Sequence, residues 1–301
     1  TGLQFLLTLV LWQNYDAGNG SMQFMVRAEW IPSFNISYIL GVDGLSLPMA
    51  ILTALLCFIG VFVSWSINKA VKGYFALFLL LDTGIMGVFL SMDFFLFYIF
   101  WEVMLLPMYF LIGIWGGPQR EYAAIKFFLY TLFGSVLMLV GILGLYFTCG
   151  KTFDILELMR VAPEALNGVM WWGMSAIKVI CILLFIGFAI KVPVFPFHTW
   201  LPLAHVEAPT AISVLLAGIL LKLGVYGILR SNYGLMPDGV YWFSGALAVL
   251  GLINVVWGGL CALAQTDLKK LVAYSSVNHM GYSLIGMAAI VAAGEANGLN
   301  L

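Results

Sequence analysis

Long apolar runs, broken at intervals by glycine, proline and charged residues, dominate the chain. A half-buried strand alternates apolar and polar positions, whereas a bilayer-spanning helix is a run of about 20 apolar residues. Only the second pattern recurs here. It predicts a partial helix over 3–15, then spans over 43–67, 74–92, 94–115, 123–147, 171–193, 208–230, 241–264 and 270–292. That makes about nine spans, bounded by glycine, proline and charge clusters. Segment 16–40 is polar enough to read as an external loop. Segment 150–168 carries Lys151, Asp154, Glu157, Arg160 and Glu164, and reads as a short amphipathic surface helix. Trp65, Trp115, Trp171, Trp172 and Trp242 fall near span ends, where interfacial anchors belong.

Composition sharpens this picture. The chain is 63% hydrophobic and 9% charged, with mean hydropathy +1.04; a soluble domain carries about 25% charged residues. The fold class is therefore an all-α polytopic membrane protein in a lipid bilayer. A transmembrane β-barrel would show short segments of period-two alternation. A net charge of −1 offers no basic surface for nucleic acid. The four cysteines, Cys57, Cys149, Cys181 and Cys261, are scattered through apolar runs and read as small core residues, with no metal-ligand spacing. Residues 149–153, CGKTF, lack the earlier glycine of a phosphate-binding loop, since position 145 is Leu. With no starting Met and an opening inside an apolar run, the sequence reads as a piece of a longer protein. One side of the membrane collects Lys69, Lys72, Arg120, Lys126, Lys269 and Lys270, which places that side in the cytoplasm or matrix.

Against this background a few ionisable residues stand out. Glu102 is the sole formally charged residue between Phe94 and Gln119. Lys222 lies about 21 Å into its span at 1.5 Å per residue. Lys191 ends the run CILLFIGFAI, His279 lies in LVAYSSVNHMGYSLIG, and Asp82 interrupts LLLDTGIMG. A charge at mid-bilayer costs about 2.5–3.5 kcal/mol even on insertion scales, so these side chains must share a polar interior. Burial disfavours both charged forms while an opposite charge restores them, so a buried Glu–Lys pair can exchange a proton when its pairing changes. Plainer readings stand beside this one. Glu102 could form a static helix-to-helix pair, Lys191 could snorkel, and His279 could be a neutral core histidine. Lys126 and Lys178, at span starts, could be interfacial anchors. Asp43, Asp93 and Asp267 precede apolar runs and suit helix N-termini.

The stretch 190–211, IKVPVFPFHTWLPLAHVEAPTA, holds four prolines and two histidines. Pro193 cannot donate to the Ala189 carbonyl, so the helix opens beside Lys191. Opened backbone at membrane depth is tolerated only against protein or water, and broken helices with charge mark transporter ion sites. His198, His205 and Glu207 follow the break and are candidates to pass protons onward, or to cap the connection.

Three stretches, FWEVMLLPMYFLIGIWGG, IKVPVFPFHTWLPLAHVEAPTAISVLLAGILLKLGVYGILR and AQTDLKKLVAYSSVNHMGYSLIG, resemble the antiporter-like membrane subunits of respiratory complex I, subunit M above all. The resemblance implies proton translocation driven by quinone reduction elsewhere, with Glu102 paired to Lys191, Lys222 central and His279 on a hydrophilic axis. Lys126 and Asp82 join His198, His205 and Glu207 as secondary sites. It also implies inverted five-helix repeats, each with a broken helix. The chain then divides into N-terminal helices and loop (1–73), a first repeat (74–230) and the start of a second (241–301). No cofactor is expected in this chain; NAD, FMN, iron–sulfur clusters and quinone belong to partner subunits, and the paralogues L and N are expected neighbours. The expected location is the bacterial inner membrane, with the mitochondrial inner membrane or thylakoid as alternatives. Two rival readings are a subunit of a multi-subunit cation/proton antiporter or membrane-bound hydrogenase, and a purely structural membrane arm.

Overall fold

The computed structural model describes residues 1–296. The chain begins with α1 (Gly2–Gln13), followed by an antiparallel hairpin of β1 (Gln23–Ile31) and β2 (Ile36–Val42). Next come α2 (Ser46–Val63), α3 (Val71–Leu90), α4 (Phe94–Val103), α5 (Leu105–Trp115) and α6 (Arg120–Thr148). The short α7 (Ile155–Ala165) and a tiny hairpin, β3 (Met170–Trp171) and β4 (Met174–Ser175), lead into α8 (Ala176–Lys191). After α9 (Leu201–Glu207), a continuous helical stretch comprises α10 (Thr210–Leu215), a π turn, α11 (Leu221–Gly227) and a second π turn. Helices α12 (Pro237–Leu263) and α13 (Leu268–Ala296) close the described chain.

Among the described residues, seven helices are long and apolar enough to cross a membrane: Ser46–Ser66, Val71–Leu90, Phe94–Trp115, Arg120–Thr148, Thr210–Tyr233, Pro237–Leu263 and Leu268–Gly294. The other two expected spans are shorter. Helix α1 has 12 residues, and α8 has 16 because the chain opens at Pro193. The Phe94–Trp115 span is also interrupted, at Met104, one position after the Val103 carbonyl that Pro107 cannot serve. Large apolar side chains such as Trp65, Leu129, Phe147 and Leu263 point outward. In water such a surface would aggregate; against lipid tails it is the stable one.

Residues 16–40 depart from the expected loop. β1 and β2 pair with Arg27 opposite Ile39 and Glu29 opposite Ser37. Both strands are rich in β-branched and aromatic residues, which favour extended backbone. Asn35 makes the turn in the left-handed region at φ 54°, a conformation Asn tolerates. The amphipathic helix expected within 150–168 is present as α7. Asp154 caps it by accepting from the amides of Leu156 and Glu157.

Three acidic residues sit where the sequence places helix starts. Asp93 caps α4 through the amides of Phe95 and Leu96 and also accepts from the Ser37 amide of β2. Asp267 accepts from the Lys270 amide. Asp43 accepts from the amides of Leu45 and Ser46 and does more besides. It forms a two-pronged pair with Arg230, 2.7 and 2.8 Å. Arg230 Nε also donates to the Tyr226 hydroxyl, which donates to the Phe89 carbonyl. This chain ties α2 and α3 to the end of the Thr210–Tyr233 span.

Close helix approach relies on missing side chains. At Gly187 of α8 a methyl group would meet the Gly134 carbonyl of α6 at 2.8 Å. At Gly224 of α11 it would lie 2.5 Å from Val192 Cγ2 and 2.7 Å from the Phe188 carbonyl. The Lys222-bearing helix is thereby laid directly on the end of α8.

Two outcomes follow for stability. Gly224→Ala should cost about 1–3 kcal/mol through overpacking, seen as a lower melting midpoint than Gly73→Ala, whose nearest neighbour would be 3.9 Å away. Burial raises the Asp43 pKa, but the hydrogen bond and charge of Arg230, with Ser46, outweigh it and hold it below the ordinary value of 3.8. A depressed folded pKa gives stability that is complete above the ordinary value and lost as pH falls through the folded one. The penalty of Asp43→Asn, about 3–5 kcal/mol for an orphaned buried partner, should therefore be equal at pH 7 and pH 5 within about 0.5 kcal/mol, and shrink only under strongly acid conditions. Unfolding of the detergent-solubilised protein across pH measures it.

Candidate functional site

The site forms where α8 ends. Lys191 is its last residue and is 1% exposed. Its ammonium faces the rings of Trp101 and Phe127, each 5.4 Å away. Phe188 stacks edge-on against Trp101, and Trp200 packs on Phe127, so the lysine lies in an aromatic enclosure. Such faces stabilise a desolvated cation by up to about 2 kcal/mol, well short of what water supplies. The Glu102 carboxylate is the acid whose charge acts on this ammonium. The two do not form an ion pair within 4.0 Å; Lys191 Nζ and Glu102 Oε1 are both buried without a hydrogen-bond partner. Tyr98, one turn before Glu102, stands beside both Glu102 and Ser135 of α6. The pair expected from the sequence is thus a facing pair held apart.

Four backbone groups of the opened segment next to Lys191 find partners. The Ala189 carbonyl, which Pro193 cannot serve, receives the Val194 amide at 2.9 Å. The Ile190 carbonyl, which then loses Val194, receives the indole N–H of Trp200 at 2.9 Å. Beyond the proline, Asn254 of α12 spans the gap. Its Oδ1 accepts from the Phe195 amide at 2.7 Å and its Nδ2 donates to the Pro193 carbonyl at 3.2 Å. Asn254 is fully buried.

Lys222 is half-buried, and its ammonium donates to the Ala217 carbonyl at 2.5 Å. That carbonyl lies in the π turn Leu216–Leu220, where the Leu221 amide reaches back five residues to Leu216. The widened turn gives a lysine two residues beyond it a backbone acceptor, and such turns are frequent at functional sites. Among the described residues no hydrogen bond joins Lys222 to Lys191; the contact between their helices is the packing of Val192 and Phe188 on Gly224 and Gly227.

The secondary candidates fall into two groups. His198 and His205 are buried, each with Nδ1 unpartnered. His198 stacks on Phe195, and Lys126 lies close by, between the rings of Tyr122 and Tyr130. Glu207 and Asp82 are structural joints. Glu207 accepts from the Gln119 amide, and its carbonyl accepts from the Gly117 amide, bracing the turn between α5 and α6. Asp82 accepts from Gln4 of α1 beside Cys57 of α2. His279 is not brought to Lys222. Its helix buries Ala273, Val277, Met280 and Leu284 on one face, and His279 lies on the opposite, exposed one, against Tyr282.

Sequence reasoning passed over Asn254, Trp200, Tyr98 and the Asp43–Arg230 pair. Asn254 alone left a trace: it is a lone amide in the apolar run LINVVWGG.

Residues 91–299 match the family described as "NADH:quinone oxidoreductase/Mrp antiporter, TM". The chain is 42% identical over 285 residues to "NAD(P)H-quinone oxidoreductase chain 4-2" of Synechocystis sp., covering 94% of this chain and 49% of that protein. It is 45% identical over 293 residues to "NADH-quinone oxidoreductase subunit M" of Rhodobacter capsulatus, covering 96% and 57%. The chain thus spans about half the length of the curated relatives it matches. Its fold superimposes on a chain of respiratory complex I from Thermus thermophilus with TM-score 0.84 at 31% identity, covering 96% of this chain and 58% of that one. With the family match over most of its length, and with buried charges set at a broken helix in a matching fold, this chain belongs to the NADH:quinone oxidoreductase/Mrp antiporter transmembrane family.

Proposed function

We propose that the chain is a proton-translocating, non-redox membrane portion of an NADH:quinone oxidoreductase, a translocase whose redox groups lie in other subunits. The observation that carries this reading is the Lys191 ammonium, buried without a hydrogen-bond partner at a helix break and acted on by Glu102. A buried charge left unpaired costs several kcal/mol, so such a group is kept for what its charge can do.

Proton transfer follows from the pair's separation. At an effective dielectric of about 20, moving two unit charges from about 4 Å to about 8 Å apart costs about 2 kcal/mol, roughly a 30-fold change in proton affinity. When Glu102 and Lys191 approach, the ammonium is held; when they part, the proton leaves Lys191. Lys222 is the proposed recipient, through water, with His279 further along toward α13. The family resemblance, rather than any contact, supports the His279 step. His198, His205 and Lys126 line the connection past the break and are proposed to supply protons from that side. The first repeat is proposed to span 74–230, and α12–α13 to open the second. The proposed location is the bacterial inner membrane, next to paralogous antiporter-like subunits.

A second reading, a subunit of a multi-subunit cation/proton antiporter, draws on the family description, which names both machines. Pumping that requires sodium ions would favour it.

In the assembled complex, Glu102→Ala and Lys191→Ala should each lower proton pumping at least about tenfold, the loss expected when an interaction central to the transfer is removed. Lys222→Ala should lower it by a similar factor. Pumping is read as quenching of a pH-sensitive dye in proteoliposomes, with assembly checked on native gels. If all three variants assemble and pump normally, the chain is a structural arm and the proposal is wrong.

A further inference from the structure

We infer that Asn254 is a positioning residue for the Lys191 site: from α12 it fixes the opened end of α8 and so sets where the lysine stands. The inference rests on the proton-transfer reading above. Three observations support it. First, Asn254 is fully buried and uses both ends of its amide on the break, accepting from the Phe195 amide and donating to the Pro193 carbonyl. These atoms lie two and four residues past Lys191. Second, no other side chain among the described residues serves these two groups. A buried backbone group left unserved costs about 1–3 kcal/mol, so without Asn254 the segment would move to find partners.

Third, the same helix pair grips the far end of the connection. Lys269, at the start of α13, donates to the carbonyls of Val206 and Ala208, both at 3.1 Å, where α9 ends. Helices α12 and α13 pack chiefly on one another. They therefore hold the segment 193–208 at both ends as one body. A shift of that body relative to α4 changes the separation of Lys191 from Glu102, because the lysine is anchored through the break and the glutamate is not. Asn254 is thus the mechanical link between the α12–α13 pair and the proton-bearing lysine.

The test compares residues of similar size with and without the hydrogen bonds, in the whole membrane complex. Asn254→Leu keeps the volume and loses both bonds. Asn254→Asp keeps the acceptor for Phe195. Asn278→Ala removes an amide that donates to Val255 on the same helix pair but does not touch the break. Asn254→Leu, and Asn254→Ala as a smaller second variant, should lower proton translocation per NADH oxidised about tenfold, as misplacement of a reacting group does. Asn254→Asp, which keeps the acceptor but loses the amide donor, should fall between Asn254→Leu and the parent, and Asn278→Ala should stay within about twofold of the parent. Amide exchange across 194–198 should be slow in the parent and about tenfold faster in Asn254→Leu or Asn254→Ala. Fast exchange in the parent, or equal pumping by the Leu and Asp variants, overturns the inference. Normal pumping by Lys191→Ala would instead sink the reading beneath it, whereas loss there with normal pumping in Asn254→Leu sinks the inference alone.

Discussion

The carbonyl and amide groups released at the end of α8 constrain everything around them. In hydrocarbon no water takes over a freed backbone group, so a helix can open only where protein supplies the missing partners. Pro193 forces the opening. Val194, Trp200 and Asn254 answer it from three directions, using the next amide in the chain, an indole seven residues further on and an amide from a distant helix. The result is a break whose Ala189, Ile190 and Pro193 carbonyls and Phe195 amide are served, beside a lysine whose ammonium has no hydrogen-bond partner.

That contrast separates two ways in which this chain treats buried charge. Arg230 and Asp43 are bonded at both prongs, and the arginine is further fixed by Tyr226. Such a pair holds helices together and has no free capacity. Lys191 sits in an aromatic enclosure that offers attraction but no hydrogen bond to Nζ, and Glu102 Oε1 is likewise buried without a hydrogen-bond partner. The Glu102 charge acts on the Lys191 ammonium, and small changes in spacing carry large consequences in a dry setting. Lys222 is intermediate, bonded to a single backbone carbonyl that a π turn supplies. A bond of that kind holds an ammonium without neutralising it.

Much of this was legible along the chain. Apolar run length gave the helices, since lipid demands about 20 apolar residues for a crossing and permits little else. Glu102, Lys191 and Lys222 announced themselves because a charge in an apolar run is costly wherever it points. Pro193 announced the break because it removes a donor whatever surrounds it. The hairpin over 23–42 was not legible as structure, since its strands carry polar residues as well as apolar ones and their pairing is set by what lies beside them. Glu207 and Asp82 looked as eligible as Glu102. Only their partners, the Gln119 amide and Gln4, show them to be braces.

The sequence by itself determined the solvent of this protein, the number of its long apolar helices to within two, the break and the residues whose charge had to be dealt with. These are local properties: hydropathy, a missing N–H, an ionisable group. The tertiary structure alone decided which charges are paired and which are left facing one another, that Asn254 rather than any neighbour of Pro193 serves the break, and that His279 lies on the outer face of α13. Those outcomes depend on rotation and approach of helices far apart in the chain. A glycine at 224 or an amide at 254 acquires meaning only from the backbone that arrives against it.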